Sequence, residues 1–153
     1  AGKFCFMQCR NLTTVKLPDS IKHLGQCFFE YCSSLESIIL PDALTSISSS
    51  TFYCCTHLKD ITIPKSTISI GDYAFTNCLA LENIIIPDGV QSIGEYAFSA
   101  CYSLKEVVIP KFVTHIGKLA FADCASLRKI VLPHSFVQAE EIFNTNNVKL
   151  EFY

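Results

Sequence analysis

The residues with the greatest chemical capacity in this chain are its nine cysteines and four histidines. A thiolate beside an imidazole makes either a nucleophile and its base or half of a zinc site. Cys54-Cys55-Thr56-His57 puts both residue types within one short stretch. The adjacent Glu140 and Glu141 are two carboxylates of the kind that general acid and base chemistry uses. Neither grouping sits in a wider motif: the sequence has no Gly-x-Ser-x-Gly elbow, no phosphate-cradling glycine loop and no His-Glu-x-x-His. Spacing gives the cysteines another explanation. Cys9, Cys32, Cys55, Cys78, Cys101 and Cys124 recur at a constant interval of 23 residues. Cys55 belongs to that series, and His57 shares a column with Ala80, Ser103 and Ser126, none of them a ligand. No catalytic residue, cofactor or metal site is therefore expected, and the two glutamates read as a solvated terminal coil.

The elements that place these residues follow from the same period. Pro18, Pro41, Pro64, Pro87, Pro110 and Pro133 keep it, as do Phe6, Phe29, Phe52, Phe75, Phe98 and Phe121, and the leucines at 12, 35, 58, 81, 104 and 127. A fixed period of this length predicts a solenoid, in which each unit buries its apolar face against its neighbours. The phrase Leu-x-x-Ile/Val-x-Ile/Leu-Pro has β-branched residues and closes at a proline, which cannot donate to a sheet ladder. It predicts a short parallel strand with Leu104, Val107 and Ile109 inward and Val108 outward. Val113–Ile116 has room for a second short strand. Gly25, Gly71, Gly94 and Gly117 are then read as positions needing positive φ, with Ser48 the exception. Glu95-Tyr-Ala-Phe98 and its equivalents predict one helical or 3₁₀ turn. The expected fold class is an α/β repeat solenoid: residues 1–153 as a single domain of about six units, opening in mid-repeat as a piece of a longer array. Residues 134–153 depart from the pattern. Ile142-Phe143 is shifted by one, Asn147 replaces the cysteine, Glu140, Glu141, Asn144 and Asn146 add polarity, and Leu150 returns to the leucine column. This reads as an irregular C-terminal coil or cap.

Composition narrows the function classes. Twelve basic and fourteen acidic residues leave a net charge of -2, with no basic cluster to neutralise several phosphates, so nucleic acid is not an expected partner. No apolar run approaches the ~20 residues needed to span a bilayer, and no membrane insertion is expected. On coils stacked at ~4.8 Å the six in-phase cysteines form an inward ladder of parallel side chains, and disulfides need side chains that point at each other. All six are expected to be reduced and buried. Cys5, in register with Ala74, Ala97 and Ala120, is expected to be buried too, and Cys54, in register with Tyr31, Asn77 and Asp123, exposed.

Binding has better candidates than catalysis. The outward strand position reads Lys16, Ile39, Thr62, Ile85, Val108 and Val131, mostly apolar on a face expected to meet solvent. It is either an interaction surface or a set of β-branched residues packing across coils. Beside it, Glu36, Lys59, Glu82, Lys105 and Arg128 alternate in sign up to the last member, as a stable ladder of stacked charges requires. The candidate face is Ile39, Thr62, Ile85, Val108 and Val131 with Lys59, Glu82 and Lys105.

The run Ile86-Pro-Asp-Gly-Val-Gln-Ser-Ile-Gly-Glu-Tyr-Ala-Phe-Ser-Ala-Cys101 resembles the unit of the BspA-like leucine-rich repeats, Leu-x-x-Ile-x-Ile-Pro-x-x-Val-x-x-Ile-Gly-x-x-Ala-Phe-x-x-Cys-x-x. The resemblance covers nearly the whole chain and is weakest at residues 47–51 and after Pro133. It implies a right-handed superhelix of leucine-rich repeats with parallel sheet on one face. It also implies a non-enzymatic scaffold of a cell-surface or secreted protein that adheres to a host matrix protein or to cells. An architectural spacer for another domain and an intracellular regulatory scaffold are the alternatives.

Overall fold

A computed structural model describes residues 1–136 and 148–153. Among the described residues ten short strands follow in order: β1 (Thr14–Lys16), β2 (Ser37–Ile39), β3 (Ser46–Ile47), β4 (Asp60–Ile61), β5 (Ser69–Ile70), β6 (Ser92–Ile93), β7 (Glu106–Val108), β8 (His115–Ile116), β9 (Lys129–Leu132) and β10 (Lys149–Phe152). All pairings are parallel. The 23-residue period is the register itself: Thr14 pairs with Ser37, Ser69 with Ser92, and Glu106 with Lys129. One face of the solenoid carries the order β1-β2-β4 and, further along, β7-β9-β10; another carries β3-β5-β6-β8. The β3 series arises from the Ser-Ile pair, His-Ile in β8, that precedes Ser48, Gly71, Gly94 and Gly117, the stretch in which a second strand was expected.

The third side of each coil is not helical. In the coil that carries Phe75, the residues Tyr73, Phe75 and Asn77 donate their N–H groups to the carbonyls of Glu95, Ala97 and Ser99 on the next coil, at 2.8, 2.7 and 2.9 Å. The intervening Ala74, Thr76 and Cys78 donate three residues back, to Gly71, Tyr73 and Phe75. Every second N–H is thus committed to the neighbouring coil, which a helix, binding all its N–H groups internally, does not permit. The result is a chain of β-turns with positive φ at Tyr73 and Asn77, repeated at Tyr96 and Ala100, the sign a type II turn needs at its third residue. The expected helical turn is therefore replaced by tandem turns. The fold is a parallel β-solenoid of about six turns. Among the described residues the one helical piece is the 3₁₀ segment His134–Phe136.

The glycine column also has a different cause from the one expected. No glycine has positive φ. A Cβ on Gly25, Gly94 or Gly117 would lie 2.4 Å from a backbone nitrogen of the preceding coil, and one on Gly71 2.6 Å. Glycine is required there for close coil-to-coil approach, and the unusual dihedral falls on larger residues nearby. Ser48 occupies the same column and turns its hydroxyl to donate to the Leu24 carbonyl at 2.7 Å.

Inside, the phenylalanines stack at centroid spacings of 5.3, 5.6, 5.2, 5.1 and 5.3 Å from Phe6 to Phe121. Each in-phase thiol from Cys32 onward donates to the carbonyl of the phenylalanine in the coil before it. Cys32 reaches Phe6 at 3.0 Å, Cys55 reaches Phe29 at 3.2 Å, and the series continues to Cys124 and Phe98 at 3.1 Å. Cys32, Cys55, Cys78, Cys101 and Cys124 are buried. Cys9 and Cys5 are exposed and Phe6 only half-buried, contrary to expectation, because the first coil packs against a neighbour on one side alone. Cys54, expected to be exposed, is half-buried under Asn77, whose Nδ2 lies 3.5 Å from its Sγ.

The last unit is shortened. β10 pairs Leu150 with Ile130 and Phe152 with Leu132, so Leu150 sits in the isoleucine column and not, as expected, in the leucine column. The register runs three residues short of the period. The cap features Glu140, Glu141, Ile142, Phe143, Asn144, Asn146 and Asn147 lie outside the described residues.

Candidate protein-interaction face

The period-2 alternation of a strand places every second side chain on the outer face, and here it leaves large apolar groups in solvent. Ile39 is 83% exposed, Ile85 81% and Val108 50%, while their neighbours Ile38, Ile84 and Val107 are buried. Lys16 and Thr62 are exposed and Val131 is half-buried, the last flanked by β7 and β10.

The charged column beside the stripe is engaged with itself. Lys59 Nζ reaches Glu36 at 3.5 Å and Lys105 Nζ reaches Glu82 at 2.5 Å. The hydrogen bond from Lys105 holds the Glu82 carboxyl below its ordinary range. Arg128 donates to the backbone carbonyls of Ala125 and Leu127. A second ladder runs through the outward positions of the late strands, where Lys129 bridges Glu106 at 2.8 Å and Glu151 at 3.7 Å. Lys59, Glu82 and Lys105 thus frame the stripe as ion pairs and not as unpaired charges.

The sheet carrying the stripe is interrupted at its centre. Ile84-Ile85-Ile86, the counterpart of β4 and β7, forms no strand, and among the described residues no backbone hydrogen bond engages these three isoleucines. A cleft opens on each side of them. The first, of about 460 Å³, is lined by Ile61, Thr62, Ile63, Lys65, Ile85 and Asp88 among others. The second, of about 570 Å³, includes Ile85, Asp88, Glu106, Val108 and Tyr153. A third, shallower one joins Asp88 to Phe112, whose ring is 56% exposed and lies under Lys111 Nζ at 4.9 Å.

Spacing alone does not reveal this grouping. The consecutive Ile84-Ile85-Ile86 has the β-branched residues of a strand. Tyr153 reaches the second cleft because of the shortened last unit, where its hydroxyl donates to the Ile109 carbonyl at 2.9 Å.

The Cys54–His57 cluster does not assemble. The Cys55 thiol points into the core toward Phe29, and burial raises its pKa further from the neutral range. His57 is on the surface with Nδ1 donating to the Ser33 carbonyl at 2.6 Å. Among the described residues there is no group of three or more His, Cys, Asp or Glu side chains arranged to hold a metal ion, and no helix long and apolar enough to cross a membrane.

Comparison with known proteins adds to this geometry. The model of the BspA type leucine rich repeat region matches residues 1–89 and 68–151 in six copies. Among solved structures, the leucine rich repeat protein TpLRR of T. pallidum superimposes with a TM-score of 0.75 at 35% identity, covering 78% of this chain and 58% of that one. The pneumococcal vaccine antigen PcpA superimposes with a TM-score of 0.75 at 24% identity, covering 92% of this chain and 36% of that one, a likeness of fold. The chain thus spans only part of the length of either. Among curated proteins none matches it in sequence.

Proposed function

Because this chain belongs to the BspA-type leucine-rich repeat family, we propose that it acts as a non-enzymatic scaffold that binds other proteins through the stripe Ile39, Thr62, Ile85, Val108 and Val131, framed by Lys59, Glu82 and Lys105. The observation that carries this reading is the exposure of Ile39 and Ile85, each above 80%, beside Ile38 and Ile84, which already fill the core. Five coils at the ~4.8 Å strand spacing span roughly 20 Å, a length one face of a protein partner covers. What supports a surface location is the resemblance to repeats of surface proteins; a pneumococcal vaccine antigen shares the fold. We assign the scaffold to adhesion, with a host matrix or cell-surface protein as its partner.

The test is binding of the chain to immobilised matrix proteins, compared with the double variant Ile85→Lys/Val108→Lys. Both side chains face solvent, so the variant stays folded, and it binds at least roughly tenfold more weakly, a loss of about 1.4 kcal/mol. Unchanged binding by the folded variant would remove the stripe from the interface; a chain that binds no matrix protein would remove the adhesion assignment.

All nine cysteines are unpaired, including the exposed Cys5 and Cys9. This favours a second reading, an intracellular scaffold in a reducing compartment. Thiol blocking of the protein in its native source separates the two: Cys5 and Cys9 recovered as free thiols favour the interior, and their loss to disulfides favours the exterior.

A further inference from the structure

Phe112 is the one large apolar side chain of its column, where Ser20, Ala43, Ser66, Gly89 and Ser135 stand in the other coils. It adds nothing to the core, since its ring sits on a turn and is 56% exposed. The cleft that it lines with Asp88, Gly89, Gln91 and Thr114 has a volume of about 460 Å³, within the range of small-ligand sites. We propose that this cleft binds a neutral pyranose ring of a glycan, a ligand separate from the protein partner of the stripe.

The apolar wall is the first part of the fit. Gly89 and Ser135, the column neighbours of Phe112, are small, so no ring stacks on it as Phe98 stacks on Phe75. Lys111 Nζ takes one face of the ring, 4.9 Å from its centroid, which leaves the other for a ligand. The C–H bonds on one face of a pyranose pack against the negative face of an aromatic ring. The polar rim is the second part. Asp88 and Gln91 are exposed, and among the described residues neither side chain has a hydrogen-bond or ion-pair partner. The Asp88 carboxylate accepts, and the Gln91 amide both donates and accepts. Neighbouring hydroxyls of one sugar ring, each a donor and an acceptor, match that pair. The Thr114 hydroxyl donates to the Gln91 carbonyl at 3.3 Å and keeps its own oxygen free to accept.

Charge and solvation decide among ligand classes. Asp88 in the cleft and Lys111 on the ring have opposite signs, so the site as a whole favours neither an anion nor a cation. An apolar side chain of a protein would cover Phe112, but it would strip water from Asp88 and Gln91 and give back no hydrogen bond. A sugar covers the ring and replaces that water.

The probes are methyl β-D-galactopyranoside and methyl β-D-glucopyranoside, titrated into the isotopically labelled protein while amide shifts are followed. Cyclohexanol, an apolar ring of the same size with one hydroxyl, is the control. At least one glycoside moves the amides of Gly89, Gln91, Phe112 and Thr114 in a saturable way. Phe112→Ser introduces the residue type that Ser66 already supplies in this column, so the fold stays intact while glycoside affinity falls by at least roughly tenfold, a loss of about 1.4 kcal/mol. Asp88→Ala weakens the glycoside by roughly three- to tenfold, the worth of one hydrogen bond, and leaves the cyclohexanol response unchanged. No shift at these amides with either glycoside, a response that survives Phe112→Ser, or an Asp88→Ala effect as large on cyclohexanol as on the glycoside would overturn the proposal. Phe112 lies outside the stripe, so failure here leaves protein binding through Ile85 and Val108 standing. Equally, failure of Ile85→Lys/Val108→Lys to weaken a protein partner leaves this site standing.

Discussion

At the scale of single residues, the ladder thiols and the phenylalanine stack carry most of the consequence. Burial pushes the Cys32 thiol up to about 11 and the Cys124 thiol up to about 12, from an ordinary 9.0, and raises Cys78 and Cys101 well above it. A thiol whose pKa is higher folded than unfolded costs nothing below pH 9, where both states hold the proton. Above it the unfolded chain releases the proton first, and stability falls by about 1.4 kcal/mol per pH unit for each such thiol. Urea unfolding from pH 7 to 10.5 should show this loss begin near pH 9, and a Cys78→Ala/Cys101→Ala variant should show a shallower slope; parallel slopes contradict it. At neutral pH a thiol reagent should label Cys5 and Cys9 quickly, Cys27 and Cys54 slowly, and the five buried thiols only on unfolding. Phe98, fully buried and stacked at 5.1 Å on Phe75 and 5.3 Å on Phe121, should cost about 3 to 5 kcal/mol when replaced by alanine. A loss under about 1 kcal/mol would remove the stack from the core. Reading along the columns identifies these core residues correctly because period and burial coincide in the middle of an array. It misplaces Cys5 and Cys9, because a column records what a position is in a typical coil and not whether a given coil has a neighbour on both sides.

At the scale of elements, the glycine column and the tandem turns show where local pattern and physical cause part. Glycine at 25, 71, 94 and 117 reads equally as a need for positive φ or for close approach, since both exclude a side chain. Only coil stacking decides between them, and it places a backbone nitrogen 2.4 Å from where a Gly94 Cβ would stand. Gly94→Ala should therefore destabilise by about 1 to 3 kcal/mol, the usual cost of overpacking. At Gly89 the nearest atom is 3.1 Å away, so the same change there should cost less. Equal effects in denaturant melts would return the column to a dihedral role. The segment Glu95–Phe98 suits a helical turn by composition, yet alternate N–H groups are drawn to the next coil, a long-range demand that one unit's sequence does not display. The last unit fails for a related reason. Proline keeps the period at Pro133, and the three-residue shortening that brings Tyr153 beside Val108 lies beyond it.

At the scale of the whole molecule, the repeat is register, core and surface at once: one period sets the strand pairing, stacks the aromatic ladder and lines up the outward stripe. The candidate face was legible in that sense, since Ile39, Ile85 and Val108 follow from alternation alone. The break at Ile84–Ile86 was not, because three consecutive isoleucines carry no sign of an unpaired backbone. Binding through the stripe requires this assignment of inward and outward positions, since a shift of one residue exchanges the two faces. The most direct test is the unfolding free energy of two paired variants, Ile85→Lys/Val108→Lys and Ile84→Lys/Val107→Lys, measured against the parent chain in urea. The first should remain folded with a loss below about 1 kcal/mol, while the second, which buries two unpaired charges, should fail to fold. Unfolding of the first pair, or tolerance of the second, would contradict the account.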